Sequence, residues 1–291
     1  MSDFEARLQE WLGLPAIGLR LPGGDSALIA LQGAQVLSWV SRGQERLFVS
    51  PQAAHDGHTP IRGGIPVCFP QFNQRGPLVK HGFARTLAWS GQPGDARPAE
   101  GGGLQITLRL EDSEATRAVW PHAFEALLTV ELHPGTLTVR LAVHNRGAQD
   151  LPFTAALHSY LLVPGAEQIE LQGLDGLVYW NAAAAGAGAD THPVQAGAVR
   201  FGVETDRVYP RAAQALRLQT LSSQPLLQIA QDEAWSETVV WNPGPELCAR
   251  LPDMAPDSWQ HMLCVEAAAI DAPVVLAPGG RWQAAQHLRA L

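Results

Sequence analysis

An unbroken alternation of apolar and polar residues runs through the middle of the chain. Residues 104–111 read Leu-Gln-Ile-Thr-Leu-Arg-Leu-Glu, and the same period of two continues at residues 128–132 and 137–143. Successive side chains of a strand point to opposite faces of a sheet, so this period indicates strands with one buried and one solvated face. Pro134-Gly135 separates the last two runs, which predicts a β-hairpin.

Short apolar runs separated by turn residues cover most of the remaining chain. They predict further strands at residues 27–31, 35–40, 46–49, 153–163, 169–171, 177–180, 215–221, 226–230, 238–241, 262–266, 274–276 and 281–285. Residues 3–12 place their apolar side chains on one helical face before Gly13, which predicts a short N-terminal helix. Residues 91–103 and 181–197 are rich in glycine or alanine and predict loops.

The order of these elements indicates the fold class. Many short strands occur with no alternation of strands and helices, and no Ser/Gly linker or charge run marks a domain boundary. All-β domains often reach this length of 291 residues. The sequence therefore predicts one domain, residues 1–291, folded as a large antiparallel β-sandwich with a few short helices.

The composition limits the partners and the compartment. A formal net charge of −8 disfavours nucleic acid, which prefers a basic face. No run of about 18 apolar residues is present, so no membrane span is expected. The N-terminus lacks the basic start and apolar run of a signal peptide, and three scattered cysteines are typical of reduced thiols. These features predict a cytoplasmic protein that is a monomer or a weak homo-oligomer.

Motifs for cofactors and covalent catalysis are absent. The sequence contains neither the glycine-rich spacing of nucleotide-binding loops nor the Gly-x-Ser-x-Gly elbow of serine hydrolases. Its ten histidines are scattered and form no His-Glu-x-x-His or His-x-His pair, and its cysteines have no Cys-x-x-Cys spacing. We therefore expect neither a bound metal nor a cofactor.

Residues 60–89 form the most unusual segment of the chain. They carry Arg62, Arg75, Lys80 and Arg85, and Lys80 is the only lysine in the protein. The glycines of this segment are expected to let the backbone approach a ligand closely. Because the protein as a whole is acidic, this local cluster of cations predicts an anion-binding segment.

Two titratable residues lie inside apolar runs. His158 lies within residues 155–163 and reads either as a core histidine bonded to backbone or as an acid–base group. Glu266 lies within residues 262–269, where an unpaired buried carboxylate would cost several kcal/mol, so a functional role is favoured. Lying on two strands, the two could face one cleft, where one takes a proton while the other gives one.

Two further segments supply candidate ligands for a sugar. Asp206 lies in Glu-Thr-Asp-Arg-Val-Tyr, a predicted loop. Asp206 either accepts hydrogen bonds from sugar hydroxyls or belongs to a solvated turn. Trp241-Asn-Pro-Gly244 ends a predicted strand and reads either as a cleft aromatic or, slightly favoured, as core followed by a turn.

Taken in order, six motifs resemble one known family. They are Pro60-Ile-Arg-Gly-Gly-Ile-Pro-Val-Cys-Phe-Pro, His81-Gly-Phe-Ala-Arg-Thr, Leu157-His-Ser-Tyr, Asp206-Arg-Val-Tyr, Val240-Trp-Asn-Pro and Cys264-Val-Glu-Ala. The set resembles the hexose-6-phosphate mutarotases (glucose-6-phosphate 1-epimerases), a branch of the aldose 1-epimerase, galactose mutarotase-like superfamily, over residues 15–285. The resemblance implies a large antiparallel β-sandwich that interconverts sugar anomers without a cofactor.

The resemblance also implies roles for individual residues. Glu266 would be the general base at the anomeric hydroxyl, and His158 the general acid at the ring oxygen. Arg62 and Arg85 would bind the phosphate, Asp206 a sugar hydroxyl, and His81 would lie beside the ring. The implied partner is therefore a small phosphosugar.

This sequence departs from the family pattern at two positions. Asn73 follows Phe72 where a glycine is expected, and Lys80 stands where a variable, often uncharged residue is expected. We expect Lys80 to point outward, and the sequence leaves open whether Lys80 or Arg75 contacts phosphate.

Three rival functions remain compatible with the same fold. A mutarotase for unphosphorylated aldoses would have no use for the Arg62 and Arg85 pair. A non-catalytic sugar-binding sandwich would not need His158 and Glu266 together. A polysaccharide lyase would need a longer cationic groove and often a metal, and neither is evident in the sequence.

Overall fold

A computed structural model describes residues 4–184 and 190–291, and strands dominate it. The strands are β1 (Glu5–Trp11), β2 (Leu14–Arg20), β3 (Ser26–Ala30), β4 (Val36–Ser41), β5 (Gln44–Glu45), β6 (Val67–Cys68), β7 (Arg97–Ala99), β8 (Gly103–Glu111), β9 (Phe124–His133), β10 (Thr136–Asn145), β11 (Leu151–Leu157), β12 (Tyr160–Leu162), β13 (Ile169–Gln172), β14 (Trp180–Asn181), β15 (Val199–Arg200), β16 (Thr205–Pro210), β17 (Leu216–Thr220), β18 (Pro225–Gln231), β19 (Glu237–Asn242), β20 (Met262–Leu276) and β21 (Arg281–Ala290).

The helical segments are few and short. Two α-helices, α1 (Glu114–Val119) and α2 (Gly244–Cys248), accompany 3₁₀ turns at Ala84–Thr86, Pro93–Asp95, Ala166–Gln168 and Ser258–His261. Ser113 caps the N-terminus of α1, and its side chain accepts a hydrogen bond from the backbone N–H of Thr116. In the part of the chain that is described, no helix has the length and apolar character needed to cross a membrane.

The strands form three antiparallel sheets. The first has the order β1-β2-β3-β4-β5, and the largest has the order β15-β13-β17-β18-β21-β10-β9-β8-β7. The third has the order β14-β16-β19-β20-β11-β6, with β12 paired to the end of β20. Strand β20 is followed directly by β21, so the chain passes from the third sheet into the largest one.

The largest and third sheets face each other across the main core. Phe69, beside β6, meets Phe124 of β9 with ring centroids 5.4 Å apart. Phe153 of β11 meets Trp282 of β21 at 5.6 Å. These contacts confirm the predicted antiparallel β-sandwich.

The predicted hairpin is confirmed residue by residue. Strands β9 and β10 pair from Thr136 opposite His133 to Asn145 opposite Phe124, and Gly135 turns between them at a φ of +75°. In β8, Leu104, Ile106, Leu108 and Leu110 are buried, while Arg109 faces solvent. The alternation of apolar and polar residues along β8 therefore shows which face of the strand packs against the core.

Other strand predictions differ from the structure at their ends. Residues 153–163 form two strands, β11 and β12, because the chain breaks the ladder at His158 and Ser159. Residues 46–49 form only isolated bridges, and residues 177–180 contribute only the first residue of β14. Strands β20 and β21 are longer than predicted. In the predicted loop 181–197, residues 185–189 lie outside the described residues.

The predicted N-terminal helix is wrong. Its described residues form β1, which pairs with β2 through a two-residue turn at Leu12 and Gly13, with φ values of +48° and +86°. Two positive φ values are typical of the tight turn that matches the twist of a hairpin. Leu8, placed on the buried helical face by the sequence, is 61% exposed. Pairing with β2 therefore overrides the local helical period.

Candidate active site

One face of the third sheet carries most of the candidate residues. Asp206 of β16 lies opposite Trp241 of β19, which lies opposite Cys264 of β20. Two residues along β20, Glu266 lies opposite Val239. Because alternate residues of a strand share a face, this register places Asp206, Trp241 and Glu266 on the same side of the sheet.

His158 reaches the same face from the break between β11 and β12. Its backbone N–H donates to the carbonyl of Pro66 at 3.0 Å, which fixes the chain where the ladder ends. Its Nε2 lies 3.3 Å from Oε1 of Glu266, and the two side chains are 10% and 1% exposed. Nδ1 of His158 and Oε2 of Glu266 are buried without a hydrogen-bond partner among the described residues. Two unsatisfied atoms in one buried pair are expensive, which is typical of a functional site.

Burial shifts the pKa values of Glu266 and His158 in opposite directions. It raises the pKa of the Glu266 carboxyl well above its usual range, and the Asp206 carboxylate raises it further. It lowers the pKa of the His158 imidazole well below its usual range, and the nearby charges of Arg62 and Arg85 lower it further. Glu266 therefore becomes a stronger base when ionised, and His158 a stronger acid when protonated.

Aromatic rings fix the orientation of His158. Tyr160 stacks on it with centroids 4.8 Å apart and an interplanar angle of 9°. Trp241 meets it edge-on at 6.1 Å, and His81 meets it edge-on at 5.4 Å. Trp241 is half-buried and packs against the main core, as the sequence slightly favoured, and it also contacts the ring of His158 without lining the cavity.

A cavity of about 160 Å³ opens beside His158. Its walls come from residues 59–66, 80–85, 158–160 and 253, and they include Arg62, Lys80, His81, Arg85, His158, Tyr160 and Asp253. Glu266 does not line the cavity and lies against the ring of His158. Asp206 and Arg75 also lie outside the lining residues.

Arg62 is held by two partners in this cavity. Its Nε donates to Oδ2 of Asp253 at 2.9 Å and its Nη2 donates to Oδ1 at 3.1 Å, while Nη1 donates to the hydroxyl of Tyr160 at 3.0 Å. Burial alone would lower the pKa of Arg62, but Tyr160 and Asp253 more than offset burial and raise it. The guanidinium fork is thus occupied by Asp253.

Arg85 and Lys80 have fewer hydrogen-bond partners than Arg62 among the described residues. Nη2 of Arg85 donates to the carbonyl of Lys80 at 2.7 Å, and its Nε is buried without a partner among the described residues. Lys80 is exposed, in agreement with the outward orientation expected from the sequence, and it also lines the cavity. Three cations therefore surround the opening.

Arg75 lies in the irregular segment after β6 and contacts residues of the third sheet. Its Nη1 donates to Oδ1 of Asp271 at 3.1 Å, and its guanidinium lies 4.5 Å from the centre of the Trp180 ring.

Asp206 lies in β16, not in the predicted loop. Burial raises the pKa of Asp206 to about 6, the carboxylate of Glu204 adds to the rise, and Lys80 and Arg75 oppose it.

The departure at Asn73 has a conformational reason. Asn73 has a φ of +49°, a left-handed conformation that glycine adopts freely and that asparagine tolerates better than other residues. Its carbonyl accepts a hydrogen bond from the backbone N–H of His81 at 3.0 Å. The substitution therefore keeps the turn that positions His81.

The glycines of the Arg-Gly-Gly motif are required by close contacts between backbone segments. A Cβ at Gly63 would lie 2.4 Å from Cα of Val49, and one at Gly64 would lie 2.2 Å from the carbonyl oxygen of Val36. Both contacts are with backbone, so a side chain at either position would displace neighbouring segments. These glycines let three chain segments meet and thereby position Arg62, while close approach of their backbone to a ligand stays a prediction.

The cysteines are all buried and unpaired. Cys264, His158 and Glu266 are the one set of three potential metal-ligand side chains found in the described part of the chain, with donor atoms within 4.8 Å of one another. Burial raises the pKa of the Cys264 thiol well above its usual range, which disfavours the thiolate that a metal binds. The chemistry of the cluster therefore fits proton transfer between His158 and Glu266 better than metal binding.

Two residues of the site were not found from the sequence. Asp253 was missed because it contacts Arg62 across 191 positions and lies in an irregular segment. The sequence indicates Tyr160 only as the last residue of the Leu-His-Ser-Tyr motif. Its position two residues after His158 was the available signal, because alternate residues tend to share a face.

Comparison with known proteins places this geometry in a family. The aldose 1-epimerase family model matches residues 15–289. A Cenchrus ciliaris protein named "Putative glucose-6-phosphate 1-epimerase" is 33% identical over 298 aligned positions, which span 100% of this chain and 89% of that protein.

Solved structures show the same fold. That of a Salmonella typhimurium protein called a "putative mutarotase" has a TM-score of 0.86 and 28% identity, covering 98% of this chain and 92% of that one. A "galactose mutarotase related enzyme" of Lactobacillus acidophilus has a TM-score of 0.69 and 16% identity, covering 99% and 97% of the two chains. The sandwich is therefore a galactose mutarotase-like fold.

Proposed function

Because the chain belongs to the aldose 1-epimerase family, we propose that it interconverts the α and β anomers of a hexose 6-phosphate. Glucose 6-phosphate is the leading substrate, and the reaction needs no cofactor. The observation that carries the proposal is the buried His158–Glu266 pair beside a cavity ringed by cations.

The reaction needs an acid and a base that act close together. Glu266 removes the proton from the anomeric hydroxyl, while His158 protonates the ring oxygen, and the bond between C1 and O5 breaks. The aldehyde rotates and the ring closes on its other face with the two roles reversed. Both oxygens are attached to C1, so the acid and base must lie within a few ångströms, and the distance of 3.3 Å between Nε2 and Oε1 meets this demand. Before ring opening, the sugar would have to separate the two groups.

The pKa shifts favour both proton transfers. Burial raises the pKa of Glu266 and lowers that of His158, so carboxylate and imidazolium are a strong base and a strong acid in this site. The neutral pair has the same total charge as the reactive ionic pair. Binding of the sugar therefore has to shift a proton between the two groups, and does not require one to be taken from solvent.

The charge of the cavity supports a phosphate group on the sugar. Arg62, Lys80 and Arg85 together with Asp253 give the lining a formal charge of +2. A phosphate monoester carries about −1.5 to −2 at neutral pH, so the two charges nearly cancel. Arg85 and Lys80 supply the available donors, because Asp253 occupies the fork of Arg62.

Asp206 and His81 complete the proposed site. Asp206 lies on the same sheet face as Glu266 and accepts hydrogen bonds from sugar hydroxyls. In a cleft partly closed to water, these hydroxyls compete well with water for the carboxylate. His81 lies edge-on to His158 and would lie beside the sugar ring, where it can donate a hydrogen bond to an oxygen of the sugar phosphate. The relative from Cenchrus ciliaris carries the same activity in its name, which supports the assignment.

A side-by-side anomer-exchange experiment tests this function. We expect the wild-type protein to accelerate exchange between the anomers of glucose 6-phosphate, measured by NMR magnetisation transfer, with a much higher kcat/KM than for glucose. Equal kcat/KM values would favour a mutarotase for neutral aldoses. Sugar binding without acceleration of either exchange would favour a non-catalytic binding protein.

A further inference from the structure

We propose that Cys68 is a positioning residue that, together with the backbone of Asn73, holds His81 in the neutral form whose proton is on Nε2. In this form His81 presents a hydrogen-bond donor to the cavity. The use of that donor by a sugar phosphate rests on the proposed function, but the position of the proton does not.

Two groups converge on Nδ1 of His81. The Sγ of Cys68 lies 3.2 Å from it, and the backbone N–H of Asn73 donates to it at 3.3 Å. A backbone N–H can only donate, so Nδ1 must offer its lone pair. Burial raises the pKa of the Cys68 thiol, so the thiol keeps its proton and acts as the second donor.

The remaining proton of the ring is therefore on Nε2. Burial lowers the pKa of His81 to about 2, and the nearby charges of Arg85, Lys80 and Arg62 add to the effect, so the ring is neutral. His81 lines the cavity, and its hydrogen bonds among the described residues use Nδ1 and the backbone, not Nε2. A neutral imidazole with Nδ1 unprotonated carries its hydrogen on Nε2.

The direction of this donor matters for an oxygen-rich ligand. Phosphate and ring oxygens are acceptors, so Nε2–H attracts them, whereas the opposite tautomer would face them with a lone pair. The tautomer of a histidine is set by the hydrogen bond at its other nitrogen. Cys68 makes that bond from β6, where it lies opposite Ala156 and is fully buried.

The test is NMR on protein with ¹⁵N-labelled histidine, which reports the protonation of each ring nitrogen without substrate. We expect His81 to show a protonated Nε2 and an unprotonated Nδ1 in the wild type and in Cys68→Ser, which retains a donor. Cys68→Ala leaves the backbone N–H of Asn73 as the single donor to Nδ1, so Nε2 should stay the main protonated nitrogen while the fraction of the Nδ1-protonated tautomer rises above that of the wild type. The kcat/KM for glucose 6-phosphate should be roughly 2- to 10-fold lower, as for one lost hydrogen bond. Cys248→Ala, which removes another buried thiol that does not line the cavity, serves as the control and should change neither.

A protonated Nδ1 in the wild type would overturn the proposal. So would a Cys68→Ala variant with the wild-type tautomer and wild-type kcat/KM. Cys68→Val, which lacks a donor but fills the space, gives the same comparison if the alanine variant does not fold. If the wild type exchanges no sugar, the proposed function fails, but the NMR spectra still decide the tautomer.

Discussion

Replacing Glu266 with glutamine is expected to reduce kcat for anomer exchange of glucose 6-phosphate by roughly 10²–10⁴-fold, the usual contribution of a general base. Glutamine has the size of glutamate and can keep a contact with His158, but its amide cannot accept the proton of the anomeric hydroxyl. Magnetisation transfer at saturating sugar measures kcat directly. A kcat of the variant close to that of the wild type would show that Glu266 is not the general base.

The loss of activity should not reflect a loss of folding. Burial raises the pKa of Glu266 in the folded protein, so its stabilising contribution is complete below the unfolded pKa of about 4.3 and is lost as the pH rises through the folded pKa. Glutamine does not ionise. The thermal midpoint of the variant relative to the wild type should therefore increase as the pH rises from about 5 to about 8. Glu237→Gln is the matched control, because Glu237 is a buried glutamate of the neighbouring strand and should retain near-wild-type kcat.

Replacing Arg85 with alanine is expected to raise KM for glucose 6-phosphate by roughly 10- to 150-fold, the equivalent of one lost hydrogen bond to a charged group. Arg85 is preferred over Arg62 for this test, because removing Arg62 would also leave Asp253 and Tyr160 without their partner. The KM for glucose should change little, since glucose has no phosphate. Steady-state exchange rates with both sugars give the two values.

The matched control for Arg85 is Arg146→Ala. Arg146 pairs with Glu125 on the largest sheet, away from the cavity, so its loss should leave both KM values unchanged. Equal increases for the two sugars in Arg85→Ala would indicate that Arg85 supports the cleft and does not bind phosphate. That result would favour a neutral aldose as the substrate.

The sandwich was predictable because its central strands have one buried and one solvated face. The register of β9 and β10 follows from their alternation and from Pro134-Gly135. The strand β1 was not predictable in this way, because it lies at a sheet edge and exposes Leu8. A period of two appears only where one face of a strand is buried consistently.

The site was predictable in its residue types but not in its contacts. A functional role for Glu266 was predictable because burying a carboxylate in an apolar run costs free energy. Its proximity to His158 was implied by the resemblance. The occupation of Arg62 by Asp253 depends on an irregular segment that local periodicity does not describe. The contact between Cys68 and His81 likewise depends on the left-handed turn at Asn73.

The most direct measurement of the proposed chemistry is a double-mutant cycle on kcat with His158→Ala, Glu266→Gln and the combined variant. If the two side chains act as acid and base in one ring-opening step, removing either should disable the other, as groups that act as a unit are strongly non-additive. The combined variant should then be no more than about 3-fold slower than the slower single variant. A combined loss equal to the product of the two single losses would show that His158 and Glu266 act independently, and would contradict their pairing on one sugar.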